Sequence, residues 1–414
     1  MTSNEPTLGT RFHRVLAAHA TSQLGVGLHL AAFPLLVSTL TSDPRIVAAL
    51  ALTASIPGLI LALPIGVWVD RAHRGRLMVG SDLFCALVLI TLTTLVALGE
   101  IRLWMLFVGA AAVGIAELIF GTSTFALLPG LVPQADLMRA NSYLSIAGQT
   151  GSGVVGPALG GLAYAVGPFL PFAVNSATYL VSSATIGSFV RHADTRAPVD
   201  HRPASRATRR GELTAGIRHL GRDRPARTLL ILSATSGLFG WMPEATLVLF
   251  AREQLRLSPT AFGLLLGVTT LGAVLGGLAA GRLARRVGLF RLLVGTYATY
   301  GLLLIPVGLT NNGWIVACIF FFQGLPLIAC DATIRSLQQT LVPAGLLGRI
   351  GAVNRIVGSA VVPLSLAVGG VLAGVIGYSA VWIVAGLGFV VTLVVNLPAL
   401  RSLESAVEEA RPPS

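Results

Sequence analysis

Some twelve apolar stretches of roughly twenty residues each, in two groups on either side of an arginine-rich insert, dominate the chain. A bilayer's hydrocarbon core is about 30 Å thick and a helix rises about 1.5 Å per residue, so about 20 apolar residues span it. No soluble fold needs apolar runs repeated at that length, and the sequence predicts an all-α membrane protein with 12 transmembrane helices. The spans fall at about 15–40, 46–69, 77–98, 103–127, 138–166 and 169–190. A second set falls at about 227–250, 259–280, 291–309, 314–340, 348–376 and 378–400. The expected organisation is a six-helix bundle in 1–190, a cytoplasmic linker at 191–226, a second bundle in 227–400 and a tail at 401–414.

Charge orients these spans. The chain has 29 basic side chains, all arginine, against 17 carboxylates, a net charge of +12. Such a balance can signal a nucleic-acid partner, but here the arginines sit in short loops between apolar runs, where cytoplasmic retention of positive loops explains them. With the N-terminus inside, only Arg45, Arg102, Arg252 and Arg256 lie outside and Arg335 is embedded; both termini are then cytoplasmic. Cys85, Cys318 and Cys330 all fall inside apolar runs, with neither a disulfide framework nor a metal spacing. The linker's second half, Glu212 to Arg224, fits either a short helix on anionic headgroups or a solvated charged loop.

The two halves are related at a constant offset of 210 positions. Leu131-Val132-Pro133 matches Leu341-Val342-Pro343, and the same offset pairs Arg139 with Arg349, Gly148 with Gly358, Gly160 with Gly370 and Gly167 with Gly377. Two parallel six-span repeats facing one another suit a central site that opens to either side, which favours a transporter over a channel or a membrane enzyme.

Two motifs narrow the class. Between spans two and three stands Gly66-Val-Trp-Val-Asp70-Arg71-Ala-His-Arg74-Gly75-Arg76. An aspartate at a helix C-terminus faces the negative end of the macrodipole, so it calls for a cation or another helix's N-terminus and can serve as a charge latch. Asp82, near the cytoplasmic end of span three, is expected to join it. In span five, Gly148, Ser152, Gly156 and Gly160 recur every four residues and flatten one helix face, with Pro157 bending the rod. The literal GxGxxG at Gly151 to Gly156 lies within an apolar span, not between a strand and a helix, so it does not indicate a dinucleotide.

The first motif resembles the G-x-x-x-D-R-x-x-R-x-R loop signature of the major facilitator superfamily, and within it the bacterial efflux permeases that include macrolide and enterobactin exporters. Gly66, Asp70, Arg71, Arg74 and Arg76 fall in phase with that gating signature. The second-half counterpart, Gly281-Arg-Leu-Ala-Arg285-Arg286, carries arginine where the aspartate would stand. Gly156-Pro157-Ala-Leu-Gly160-Gly161 resembles the core of the superfamily's antiporter motif, which implies export. The resemblance extends over nearly the whole chain, including Ser22-Gln23-Leu24-Gly25 in span one. It departs at Val26 and Gly121, where related permeases often carry acids, so coupling schemes built on those acids do not carry over.

Ionisable groups inside spans are costly, which makes each a candidate for substrate or proton work. Glu117 in mid-span four matches a glutamate seen in many relatives and is the leading candidate for loading and releasing a proton. Asp331 and Arg335 lie four residues apart on span ten, where they either neutralise one another or contribute to the site. Glu244 follows Trp241-Met-Pro243, where proline frees a backbone carbonyl, and is a candidate substrate contact. His29 on span one titrates near physiological pH, although a lone histidine on an apolar helix is more often simply packed. Gln23, Gln149, Asn175 and Gln323 are further polar candidates. Phe120, Phe125, Tyr143, Tyr179 and Trp241 are candidate stacking surfaces.

The expectation is a secondary active transporter in a bacterial cell membrane: a proton-coupled antiporter exporting a small amphipathic compound such as an antibiotic or secondary metabolite. It needs a small-molecule substrate, a proton or other cation gradient and the bilayer, but no nucleic acid, cofactor or metal, and is expected as a monomer. An importer or facilitator of a nutrient or siderophore is the alternative on the same fold. An integral-membrane enzyme or assembly factor is disfavoured, because neither H-E-x-x-H nor a lysine-bearing phosphate loop occurs in a chain without lysine.

Overall fold

The computed structural model describes residues 8–190, 218, 221, 223–341 and 344–409. Among these the chain is helical, with short turns between long rods. The first half comprises α1 (Gly9–Leu40), α2 (Pro44–Arg71), α3 (Arg74–Ala97), α4 (Leu103–Leu127), α5 (Leu137–Gly148), α6 (Gly156–Val166) and α7 (Leu170–Val190). The second comprises α8 (Arg224–Trp241), α9 (Pro259–Val287), α10 (Leu289–Leu309), α11 (Gly313–Leu341), α12 (Ala344–Ile376) and α13 (Tyr378–Glu409). Nine helices among the described residues are long and apolar enough to cross a membrane. The three other predicted spans are helical too, but each is interrupted or polar for a reason that bears on the site.

Span five is split into α5 and α6 by the π-helical turn Gln149–Val155, a wide turn that is rare and frequent at functional sites. Span six, α7, carries Asn175, Ser176, Tyr179, Ser182 and Ser183 on buried positions, which dilutes its apolar signal. Span seven breaks after Trp241: Pro243 has no N–H to continue the ladder, and a 3-10 turn, Pro243–Thr246, follows. A second π turn, Phe250–Gln254, ends that crossing.

The duplication read at an offset of 210 reappears in the backbone. α6 ends at Val166 before Gly167, and α12 ends at Ile376 before Gly377. Gly377 adopts φ +83°, a left-handed turn that suits glycine.

The chain forms two compact units. One contains 1–42, 53–200 and 257–267; the other contains 43–52, 201–256 and 268–414. They differ from the two halves read in the sequence by an exchange: the first residues of α2 belong with the second unit, and the first residues of α9 with the first. Most of the predicted linker lies outside the described residues. The predicted tail continues α13 as helix through Glu409.

Apolar side chains point outward in number, as lipid requires: Leu63 is 70% exposed and Trp314 84% exposed. Lipid tails are as apolar as leucine, so inter-helix cohesion must come from close packing, not from the hydrophobic effect. In the first unit that packing is made by glycine. Gly27 on α1 and Gly156 at the start of α6 meet so closely that a Cβ on Gly27 would stand 2.6 Å from the Gly156 Cα. Gly160 abuts the Leu28 backbone, and a Cβ on Gly161 would lie 2.9 Å from the Gly263 Cα. The glycine run of span five is thus a two-sided packing surface, with α1 on one side and the start of α9 on the other.

Candidate functional site

In the first unit, α1 supplies the floor of the site and α7 its back wall, because Gly25 and Gly27 let both α7 and α6 approach α1. A Cβ on Gly25 would collide with the side chains of Asn175 and Thr178. The resulting cavity of about 320 Å³ is lined from α1 (His19, Ser22, Gln23, Val26), α4 (Glu117, Phe120, Gly121, Phe125), α5 (Leu144, Ser145, Gly148) and the π turn (Gln149, Ser152). Wide π turns let Gln149 and Ser152 face this space within a continuous crossing.

Glu117 is the one carboxylate on that lining. Val26 and Gly121 line the same cavity.

The Glu117 carboxylate is held from behind. Tyr179 Oη donates to Glu117 Oε1 at 2.6 Å. His29 Nε2 lies 3.6 Å from the same oxygen. Asn175 sits 3.2 Å from His29 Nδ1, while its Oδ1 accepts from Thr178 Oγ1 at 3.3 Å. The Asn175 amide nitrogen is the atom that faces the ring, so Nδ1 accepts and the ring proton is assigned to Nε2, towards Glu117. Phe33 meets His29 edge-on at 5.7 Å and Phe172 meets Phe33 at 5.4 Å, closing the far side with aromatic rings.

Asp82 lies with this network and not with the loop motif. It is fully buried on α3, with Glu117, Cys85 and Tyr179 as electrostatic neighbours and the Ser182 hydroxyl of α7 facing its carboxylate. Two turns into α3 the helix face has rotated away from the loop towards α7, which explains the difference from the expected latch position.

The loop motif is distributed over two helices and contacts a third. Gly66, Asp70 and Arg71 end α2, and Arg74 and Arg76 begin α3. Arg74 Nη1 donates to the Ala126 carbonyl at 2.6 Å, placing a cation at the C-terminal end of α4, where the macrodipole is negative. Asp70 is exposed, and among the described residues its carboxylate makes no hydrogen bond or ion pair. Gly66 has no heavy atom within 4 Å of a notional Cβ, so its role is not packing in this conformation.

A second cavity, of about 180 Å³, lies in the second unit, and Glu244, Trp241, Tyr297, Tyr300, Gln323 and Phe389 are among its lining residues. The break at Pro243 turns Glu244 into it. Asp331 is exposed on α11 and is not part of that lining, which takes the neighbouring Cys330 instead. The Arg335 side chain lies outside the described residues. Of the aromatic candidates, Tyr143 packs instead on Phe12, with Arg139 over its ring at 5.8 Å. Tyr179, expected as a stacking surface, is instead a hydrogen-bond donor; the sequence signal for that position is a tyrosine amid serine and asparagine on the buried positions of span six. No group of three or more His, Cys, Asp or Glu arranged to hold a metal exists among the described residues.

Apolar crossings, two homologous halves and a polar cavity within the bundle define a polytopic membrane transporter. The chain belongs to the transmembrane secretion effector family (MFS_3), whose profile matches residues 2–412, and is not an enzyme. It is 26% identical over 410 residues to the multidrug efflux pump Tap of Mycolicibacterium fortuitum, covering 95% of this chain and 97% of that one. It is 27% identical to the enterobactin exporter EntS of Shigella flexneri over 358 residues, with 82% and 79% of the two chains covered. Among solved structures, a bacterial homologue of the iron transporter ferroportin in its inward-facing state superposes with a TM-score of 0.71 at 19% identity, covering 94% of this chain and 98% of that one. At that identity the likeness is one of fold.

Proposed function

We propose that the protein is a proton-coupled antiporter that exports a small amphipathic compound by alternating access, with Glu117 as the group that exchanges the proton. The observation that carries this reading is the arrangement of the carboxylate itself. Glu117 opens on one side to a polar cavity and is held on the other by Tyr179 Oη at 2.6 Å and the His29 ring at 3.6 Å. A carboxylate in a span is costly unless it is paired or hydrogen-bonded. Tyr179 and His29 supply that support when it is ionised, and the cavity supplies a route for the proton that replaces it. Protonation removes the charge Tyr179 and His29 hold, so it alters the balance between conformations that differ in access.

Export is favoured by the glycine-proline run of span five, which packs on two partners, and by relatives named as efflux pumps. On this reading both termini face the cytoplasm, and the Asp70 latch engages in another state of the cycle.

The test uses proteoliposomes carrying an imposed pH gradient and a panel of amphipathic weak bases, neutral macrocycles and catecholates. The wild type moves at least one class against its gradient, the movement stops when the pH gradient is collapsed, and Glu117→Gln loses the coupling. Accumulation by Glu117→Gln at the wild-type rate, or transport indifferent to the pH gradient, overturns the reading.

A further inference from the structure

The cavity of the second unit differs in kind from that around Glu117. Its thirteen lining residues include one charged side chain, Glu244, and no arginine or histidine. Glu244 is open to the cavity. Among the described residues its carboxylate accepts no hydrogen bond and forms no ion pair, in contrast to Glu117, which has Tyr179 and His29. A carboxylate inside a membrane bundle without a counter-charge is expensive, and a cation brought by a ligand removes that cost.

The walls suit the same ligand. Trp241 is half exposed, at 49%. Tyr297 and Tyr300 pack on Phe389 at 4.8 and 4.9 Å between ring centroids, and Phe320 completes the aromatic side. Aromatic faces attract cations through the ring quadrupole, and they attract them more strongly where water is scarce. Tyr297 is kept in place by its hydroxyl contact with Thr235 at 2.8 Å. The break at Pro243 holds both Trp241 and Glu244 on this side of the crossing.

We infer that this second cavity binds the cationic head of an organic ammonium compound, with Glu244 as counter-ion and Trp241 and Tyr300 as aromatic walls. The inference rests on the reading of the chain as an exporter of amphipathic compounds and specifies the charge its substrates carry. The two carboxylates divide the work: Glu117, already supported, exchanges the proton, and Glu244, unsupported, receives the substrate's charge. A volume of about 180 Å³ is small beside drug-sized pockets, which typically measure about 300–1,000 Å³. It therefore accommodates a quaternary head with one ring, and the remainder of a larger ligand lies outside it.

The probe is benzyltrimethylammonium, compared with phenylmethanesulfonate, an anion of similar size. Binding to the full chain in nanodiscs is titrated by saturation-transfer difference NMR, with empty nanodiscs subtracted. The wild type saturates with the ammonium and not with the sulfonate. Glu244→Gln weakens ammonium binding by about tenfold or more, as loss of a desolvated charge partner does. Glu244→Asp retains most of it. Trp241→Ala, which changes an exposed side chain and should not disturb folding, weakens it by about three- to thirtyfold. Glu100→Gln, which neutralises an exposed carboxylate in a turn of the first unit, leaves it unchanged; binding is read without a pH gradient, so a failure of proton coupling is read separately from a failure of this site. Wild-type protein that binds neither probe, or binds both equally, overturns the inference. So does a monodisperse Glu244→Gln or Trp241→Ala variant with wild-type affinity.

Discussion

Replacing Gly156 by alanine tests how these helices are held together. A Cβ there would stand 2.5 Å from the Gly27 Cα and 2.7 Å from the Leu24 carbonyl oxygen. Carbon atoms pack best at about 3.5–4.0 Å, so α1 and α6 would have to part by about 1 Å, and gaps of that size forfeit a quarter to a half of each contact's attraction. The obstructing atoms are backbone and cannot rotate aside. Overpacking of this kind costs about 1–3 kcal/mol. Alanine's better helix propensity returns about 0.5–1 kcal/mol, so the net destabilisation is up to about 2.5 kcal/mol, with about 1 kcal/mol at the centre of the range. Gly66→Ala is the control: it sits in a helix with no atom within 4 Å and keeps the propensity gain alone. Both proteins are heated in detergent and the surviving monodisperse fraction is read by size-exclusion chromatography. Gly156→Ala should melt below the wild type and Gly66→Ala should not. If Gly156→Ala melts at or above the wild type, the close glycine packing of α1 on α6 is not what stabilises the first unit.

Two further substitutions probe the site and the loop motif. Tyr179→Phe removes the 2.6 Å hydrogen bond to Glu117 while keeping the ring that fills the bundle; pH-driven efflux should fall at least severalfold with little change in melting temperature, and unchanged efflux would remove Tyr179 from the mechanism. Arg74→Gln removes the charged donor from the Ala126 carbonyl. Hydrogen bonds to charged groups contribute about 1.5–3 kcal/mol, so a lower melting temperature is expected, with Arg74→Lys recovering part of it; a variant as stable as the wild type would show that this contact contributes nothing.

The membrane class and the repeat were legible because each rests on local or periodic signals. Apolar runs of one length define the rods, and an offset of 210 between glycines marks equivalent helix ends at 166 and 376. What was not legible depends on which faces meet in three dimensions. Asp82 was read with the loop because it is close to it in sequence, yet helix rotation over two turns carries it to the side of α3 facing α7. Tyr179 and Asn175 were noted as polar or aromatic residues, but their partners, Glu117 and His29, lie 62 and 146 positions away. The π turn at 149–155 left no signal beyond a cluster of glycines, because a wide turn differs from an α turn only in hydrogen-bond register. Pro243 did announce its break, and Glu244 was found through it.

Infrared difference spectroscopy of the protein in lipid, titrated with pH, tests most directly whether Glu117 takes up and releases a proton from water. A protonated carboxyl has its own C=O stretch, separate from the carboxylate bands, and needs no substrate to be seen. Each of the 17 carboxylates gives such a band as it protonates, so the Glu117 component is the one the wild type shows and Glu117→Gln lacks, and it should shift in Tyr179→Phe. A Glu117→Gln spectrum that matches the wild type at every pH would contradict the assignment.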